Sequence, residues 1–150
     1  MDLTGLLSQG QIIYPLRGHT KNEIINELLI ALAKSGRVSD RHLALNNVLE
    51  REKLLSTGLE KGLAVPHAKT DAVDELVIGF GLHKQGVDFE SIDGQPAHFI
   101  FLVLSPHDSS GPHIKALARI SRSIKEPSVR QELLEAGSAQ DIEKILTESR

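Results

Sequence analysis

Imidazole is the side chain best suited to covalent chemistry in this sequence, which holds seven histidines, a single Tyr and no Cys or Trp. A neutral imidazole near its reference pKa of about 6.5 is nucleophilic at cell pH, and a phosphoryl group carried on it is labile enough to be passed on. His67 follows Pro66 at the end of the short apolar run Leu63-Ala64-Val65 and precedes Ala68 and the polar stretch Lys69-Thr70-Asp71. Proline fixes its own φ and biases the residue before it to extended geometry, so the run stops there and the next side chain is presented at its end. Strand ends in open α/β sheets are where sites are usually built. His113 follows Gly111-Pro112 at the expected start of a helix, just after the most apolar run in the chain. A helix start offers free N–H groups that bind anions such as phosphate and disfavour an imidazolium nearby. Arg51, near the end of an earlier helix, adds a planar fork that matches phosphate oxygens.

Each of these histidines, taken alone, is more often a satisfied structural residue than a reactive one, and the case improves when the two are taken together with Arg51. A zinc site is a second reading, because His67, His107, Asp108 and His113 could converge. No pair among them has the His-x3-His type of spacing that puts two ligands on one helix face. His42 falls on a polar helix face, His83 ends a strand beside Lys84, His98 begins one and His19 lies in a polar connection, so solvated or edge positions are expected for these four. Nucleotide-driven kinase and hydrolase-elbow chemistry has no anchor, since the Gly-x-x-x-x-Gly-Lys, Gly-x-Gly-x-x-Gly and Gly-x-Ser-x-Gly patterns are all missing from the sequence.

The elements that must position these groups follow from periodicity. Gln11 to Leu16 suits a first strand at a sheet edge, closed by Pro15. Thr20 with Glu23 forms a capping box, Ile24, Ile25, Leu28, Ala31 and Leu32 recur at helical spacing, and Gly36 supplies the stop, which predicts a helix over about 21–35. A second helix is expected after Ser39, running to Glu50-Arg51-Glu52 before Ser56-Thr57-Gly58 breaks the pattern. Leu63-Ala64-Val65, Leu76 to Leu82 and Phe99 to Leu104 read as three strands, the last buried on both faces. Asp93-Gly94-Gln95-Pro96 has the composition of a tight turn. Helices are expected after Pro112, from Pro127 to Gly137, and from Ser138 with Asp141 three residues on. The order β-α-α-β-β-β-α-α-α predicts an α/β domain of α+β type, a three-layer α/β/α sandwich. Its sheet is mixed, because the two strands after residue 76 are close enough to pair antiparallel.

Composition narrows the function classes. The chain has 150 residues, 17 Lys plus Arg against 20 Asp plus Glu, and a net charge of -3. It has no general basic field, which argues against nucleic acid held by phosphate neutralisation. The absence of cysteine removes disulfides, thiolate metal sites and a cysteine nucleophile, and is compatible with the cytosol. Met1 to Gly5 lacks a basic segment followed by an apolar run, and no stretch approaches the roughly 18 to 20 apolar residues of a membrane span. A cytoplasmic protein, neither exported nor membrane-embedded, is the expectation.

Leu49-Glu50-Arg51-Glu52, Ser56-Thr57-Gly58 and Gly62-Leu63-Ala64-Val65-Pro66-His67-Ala68 together resemble the signature of the type 2 enzyme IIA domains. These are the fructose, mannitol and nitrogen-regulatory group of the bacterial phosphoenolpyruvate:sugar phosphotransferase system. The resemblance continues through Gly86-Val87-Asp88-Phe89, Asp93-Gly94-Gln95-Pro96, Leu104-Ser105-Pro106 and His113 with Leu117-Ala118, so one such domain over residues 1–150 is expected. It implies a phosphoryl carrier with a mixed sheet between helical layers. His67 would take the phosphoryl group from the phosphohistidine of HPr, or of its nitrogen-branch paralogue, and give it to a cysteine on a IIB domain. His113 would be the second active-site histidine, and Arg51 the arginine that stabilises the transferring charge. The resemblance implies no metal, nucleotide or other cofactor beyond the transient phosphohistidine. It further implies a shallow apolar surface around His67 for two partners met in turn, with the IIB, IIC and HPr domains as separate polypeptides. Fructose-type sugar uptake is the favoured role, and a nitrogen-type protein that controls partners through its phosphorylation state is the alternative.

Overall fold

A computed structural model of the chain describes residue 3 and residues 5–148; of the N-terminal stretch read above, residues 1, 2 and 4 lie outside the described residues. Its centre is the apolar run read from the sequence, strand β5 (Ala97–Ser105), in which every residue but His98 is buried. Alternate side chains leave a strand on opposite faces. Phe99, Phe101 and Val103 therefore enter one core while Ile100, Leu102 and Leu104 enter another. Such a strand needs cover on both sides. Helices α1 (Lys21–Lys34) and α2 (Arg41–Leu54) supply it on one face, through Ile24, Leu28, Leu32 and Val48. Helices α3 (Ser110–Ser123), α4 (Pro127–Glu135) and α5 (Ala139–Thr147) supply it on the other, through Ile120, Leu133 and Ile142. The Phe80 and Phe101 rings meet at 4.6 Å in the second core, each burial contributing roughly 1.5–3 kcal/mol.

The sheet is mixed, as expected. After a single 3₁₀ turn (Gln9–Gln11), β1 (Ile12–Ile13) runs parallel to β4 (Val77–Val87), which pairs antiparallel with β5. On the other side of β5 lie β2 (Leu63–Ala64) and β3 (His67–Lys69), one after the other and both parallel to it. Helix starts match the capping residues. Thr20 and Glu23 close the box on α1, Asp40 accepts from the Leu43 N–H at α2, and Ser138 accepts from the Asp141 N–H at α5. Among the described residues no helix is long and apolar enough to cross a membrane.

Four details differ from the sequence reading. The central part holds four strands rather than three, because the stretch after Pro66 pairs with β5 as β3 instead of running as a polar connection. Its three residues are too few to show a period. The first strand shrinks to two residues. Helix α3 starts at Ser110, so Pro112 is its third residue, where the missing N–H costs nothing, and His113 is its fourth. His83 is buried rather than at a solvated edge, because β4 continues past Leu82. Its Nε2–H donates to the Gly18 carbonyl at 2.9 Å and its Nδ1 accepts from the Gly86 N–H at 3.0 Å.

Candidate functional site

Register alone brings the first site residues together. His67 pairs with Val103 and Lys69 with Ser105, so the pleat turns all four side chains to the face covered by α3. Ala68, between them, enters the opposite core. His113 descends from the first turn of α3 onto this corner, buried at 6% relative exposure. The His67 and His113 rings meet edge to face, centroids 5.4 Å apart. Lys69 donates to the Ser110 hydroxyl at the first residue of the same helix.

The two imidazoles are held differently. His67 is half-buried, and its Nδ1 lies 2.8 Å from the Val65 carbonyl. A carbonyl oxygen can only accept, so Nδ1 carries the proton and the neutral ring keeps its lone pair on Nε2. His113 Nδ1 lies 2.5 Å from the hydroxyl of Ser105. Burial first, then repulsion by a protonated His67 and by the Lys69 ammonium, hold the His113 imidazole below the ordinary histidine value of 6.5, which favours its neutral form.

Arg51 lies half-buried in the last turn of α2, the helix that packs against β3. No ion pair among the described residues engages its guanidinium. The structure thus brings His67 and His113 into contact and puts Arg51 on the helix behind them. Its neighbour Glu52 turns inward, where Oε2 accepts from the Thr57 N–H at 2.9 Å and Oε1 from the Thr57 hydroxyl at 2.5 Å. Thr57 in turn accepts from the Val65 N–H at 3.0 Å through its carbonyl, which links the end of α2 to the residue that holds His67. Gly58 is required beside it, because a Cβ there would lie 2.6 Å from the Phe89 carbonyl and 2.9 Å from Ser91 Cα.

His107 stands apart, exposed and 3.7 Å from an Asp71 carboxylate oxygen. Among the described residues no group of three His, Asp or Glu is placed to hold a metal ion. Leu54 and Leu55, which follow Arg51, and Ile114, which follows His113, are exposed at 66% or more. Sequence reasoning missed Ser105, Lys69 and Glu52 as parts of this corner. Period-2 counting from His67 reaches Lys69, and a polar residue closing an apolar strand marks Ser105.

Comparison with known proteins follows the same lines. The family model described as "Phosphoenolpyruvate-dependent sugar phosphotransferase system, EIIA 2" matches residues 5–149. The fructose-specific EIIA component of Haloferax volcanii is 40% identical over 129 residues, 86% of this chain and 84% of that protein. The fructose-specific EIIABC component of Bacillus subtilis is 38% identical over 148 residues, 99% of this chain but only 23% of that longer protein. A nitrogen regulatory protein of Bradyrhizobium diazoefficiens is 32% identical over 146 residues, 97% of this chain and 95% of that protein. Among solved structures, nitrogen regulatory protein IIA-Ntr from Neisseria meningitidis has a TM-score of 0.85 at 28% identity, covering 95% of this chain and 97% of that one. Enzyme IIA mannitol from Escherichia coli, in complex with phosphorylated enzyme IIB mannitol, has a TM-score of 0.79 at 23% identity, covering 93% and 95%.

Proposed function

The chain belongs to the EIIA type 2 family of the phosphoenolpyruvate-dependent sugar phosphotransferase system, and on that premise we propose that it carries a phosphoryl group on Nε2 of His67. The observation that carries this reading is the Nδ1–H bond to the Val65 carbonyl, which leaves the Nε2 lone pair beside a buried neutral histidine. The donor is a phosphohistidine of HPr or its nitrogen-branch paralogue. As the bond from Nε2 to phosphorus forms, the bond from phosphorus to the donor nitrogen breaks and its electron pair returns to that nitrogen. Such transfer depends on in-line positioning and on stabilising the spread charge. His113 supplies a neutral neighbour that can hydrogen-bond the phosphoryl oxygens, Arg51 a bidentate cation, and Lys69 a second positive charge at the start of α3. The high-energy bond arrives with the donor, so the reaction calls on no resident metal, nucleotide or cofactor.

The acceptor in this reading is a cysteine of a IIB domain, whose docking would cover the exposed Leu54, Leu55 and Ile114, and the role is fructose-type sugar uptake in the cytoplasm. The fructose-specific relatives at 40% and 38% identity support the sugar, and a protein of the same fold in complex with phosphorylated IIB supports the acceptor. The nitrogen-type regulatory role is the second reading, supported by a relative matched over 95% of its length. Intact mass spectrometry at neutral to alkaline pH, with phosphoenolpyruvate, enzyme I and HPr, tests the carrier. One acid-labile phosphoryl group is expected, and it should move to a IIB cysteine on addition of that domain. A folded protein that gains none from phosphorylated HPr of either branch is not a carrier, and retention in the presence of fructose-type IIB turns the choice to the regulatory role.

Two substitutions separate the supporting side chains by rapid-quench rates of transfer from phosphorylated HPr. His113→Ala removes a donor from a preorganised site and is expected to slow acceptance about 10²-fold without abolishing it. A complete loss would make His113 as essential as His67. Arg51→Lys keeps the charge but not the fork and is expected to slow transfer about 10-fold; unchanged rates would remove Arg51 from the site.

A further inference from the structure

Ser105, the last residue of β5, is fully buried, and its side chain shares a face with Lys69 and His67. Its hydroxyl has one hydrogen-bond partner among the described residues, Nδ1 of His113 at 2.5 Å. Two proton arrangements satisfy that distance. If Nδ1–H donated to the hydroxyl oxygen, the hydroxyl proton would need another acceptor inside the protein, and burying it without one is costly. If the hydroxyl donates, both groups are satisfied, and a neutral imidazole then carries its proton on Nε2. The doubly protonated ring is disfavoured by burial, by the repulsion that a protonated His67 would exert, and by the nearby Lys69 ammonium.

We propose that Ser105 is a positioning residue, whose hydroxyl donates to Nδ1 of His113 and locks that imidazole as the Nε2–H tautomer. This rests on the carrier reading above. The two rings then hold opposite tautomers. The Val65 carbonyl takes the Nδ1 proton of His67 and leaves a lone pair on its Nε2; Ser105 fills the Nδ1 lone pair of His113 and leaves a proton on its Nε2. One ring is set to attack and the other to donate to the phosphoryl oxygens. Without Ser105, His113 would sample both tautomers, and the one protonated on Nδ1 would offer the incoming phosphoryl group a lone pair where it needs a donor.

Long-range ¹H–¹⁵N spectra of the histidine side chains at neutral pH test this in the parent before any variant is made. The expected pattern for His113 is an unprotonated Nδ1 and a protonated Nε2. Ser105→Ala is expected to give a mixture of tautomers and about 10-fold slower acceptance from phosphorylated HPr. Ser105→Thr, which keeps the hydroxyl, should restore the tautomer and most of the rate. A proton on Nδ1 of His113 in the parent, or an unchanged tautomer in Ser105→Ala, overturns the proposal. The expected tautomers in a protein that accepts no phosphoryl group would support the assignment to Ser105 while refuting the carrier reading.

Discussion

Replacing His67 by Asn is expected to abolish phosphoryl acceptance, a fall of at least about 10⁴-fold in rate, while leaving the fold nearly as stable as the parent. The two effects part because the two ring nitrogens have different duties. The Asn amide can place an N–H where Nδ1–H now donates to the Val65 carbonyl, so the local bond survives. Nothing in the Asn side chain replaces the lone pair on Nε2. His67 is only half-buried and packs no core, so the loss should not exceed about 1 kcal/mol, the worth of one ordinary hydrogen bond. For a chain of this length that is a shift of about 2–4 °C in melting temperature. Intact mass spectrometry beside a thermal melt checks both halves. Acceptance at the parental rate would place the nucleophile elsewhere, with His113 the next candidate, and loss of cooperative unfolding would mean that His67 serves the fold rather than the reaction.

That distinction between nitrogens was beyond the sequence, although the placement of His67 just past a strand end was not. Proline before His67 marks a strand end by its own stereochemistry, and the apolar period of Phe99 to Leu104 dictates two cores and hence helices on both faces. Capping boxes and turn residues are local, so α1, α5 and the turn at Asp93-Gly94 were legible from a few neighbouring residues. Strand β3 was not, because three residues carry no period and their pairing with β5 is decided by a partner some 36 positions away. His83 looked like an edge residue for a similar reason. The groups that satisfy it, Gly18 and Gly86, include one brought in from before α1. Ser105 and Glu52 were missed because a polar residue at the end of an apolar strand, or among charges at a helix end, is ordinarily solvated. Only tertiary closure turns them inward.

Glu52 gives the second large effect. Replacing it by Ala is expected to destabilise the protein by about 3 kcal/mol, at the lower end of what breaking a buried charge pair costs. Its carboxylate is 5% exposed and accepts from the Thr57 N–H, the Thr57 hydroxyl and the Lys21 ammonium. Loss of that acceptor strands two buried groups on Thr57, whereas Lys21 keeps Glu90 at 3.0 Å, which is why the lower end applies. The melting temperature should fall by about 6–12 °C. Glu52→Gln, which can still accept from the Thr57 N–H and donate to its hydroxyl, should recover more than half of this. Burial opposes the charge on Lys21, but the carboxylates of Glu90 and Glu52 outweigh it and hold the ammonium above the ordinary lysine value of 10.5. The stability that the Lys21 ammonium gains from these carboxylates is therefore undiminished on the alkaline side up to about pH 10.5 and is lost as pH rises through the raised folded value. The effect should also reach the site, because Thr57 holds the Val65 N–H and Val65 holds His67 Nδ1. With the Thr57 segment loosened, His67 spends less time aligned for in-line attack, and acceptance should slow about 10-fold at temperatures where both proteins are folded. A variant that melts early yet accepts at the parental rate would make this network purely architectural. Parallel loss of stability and rate, with both largely recovered in Glu52→Gln, would show that the inward turn of Glu52 next to Arg51 lets one helix end both brace the loop and aim the nucleophile.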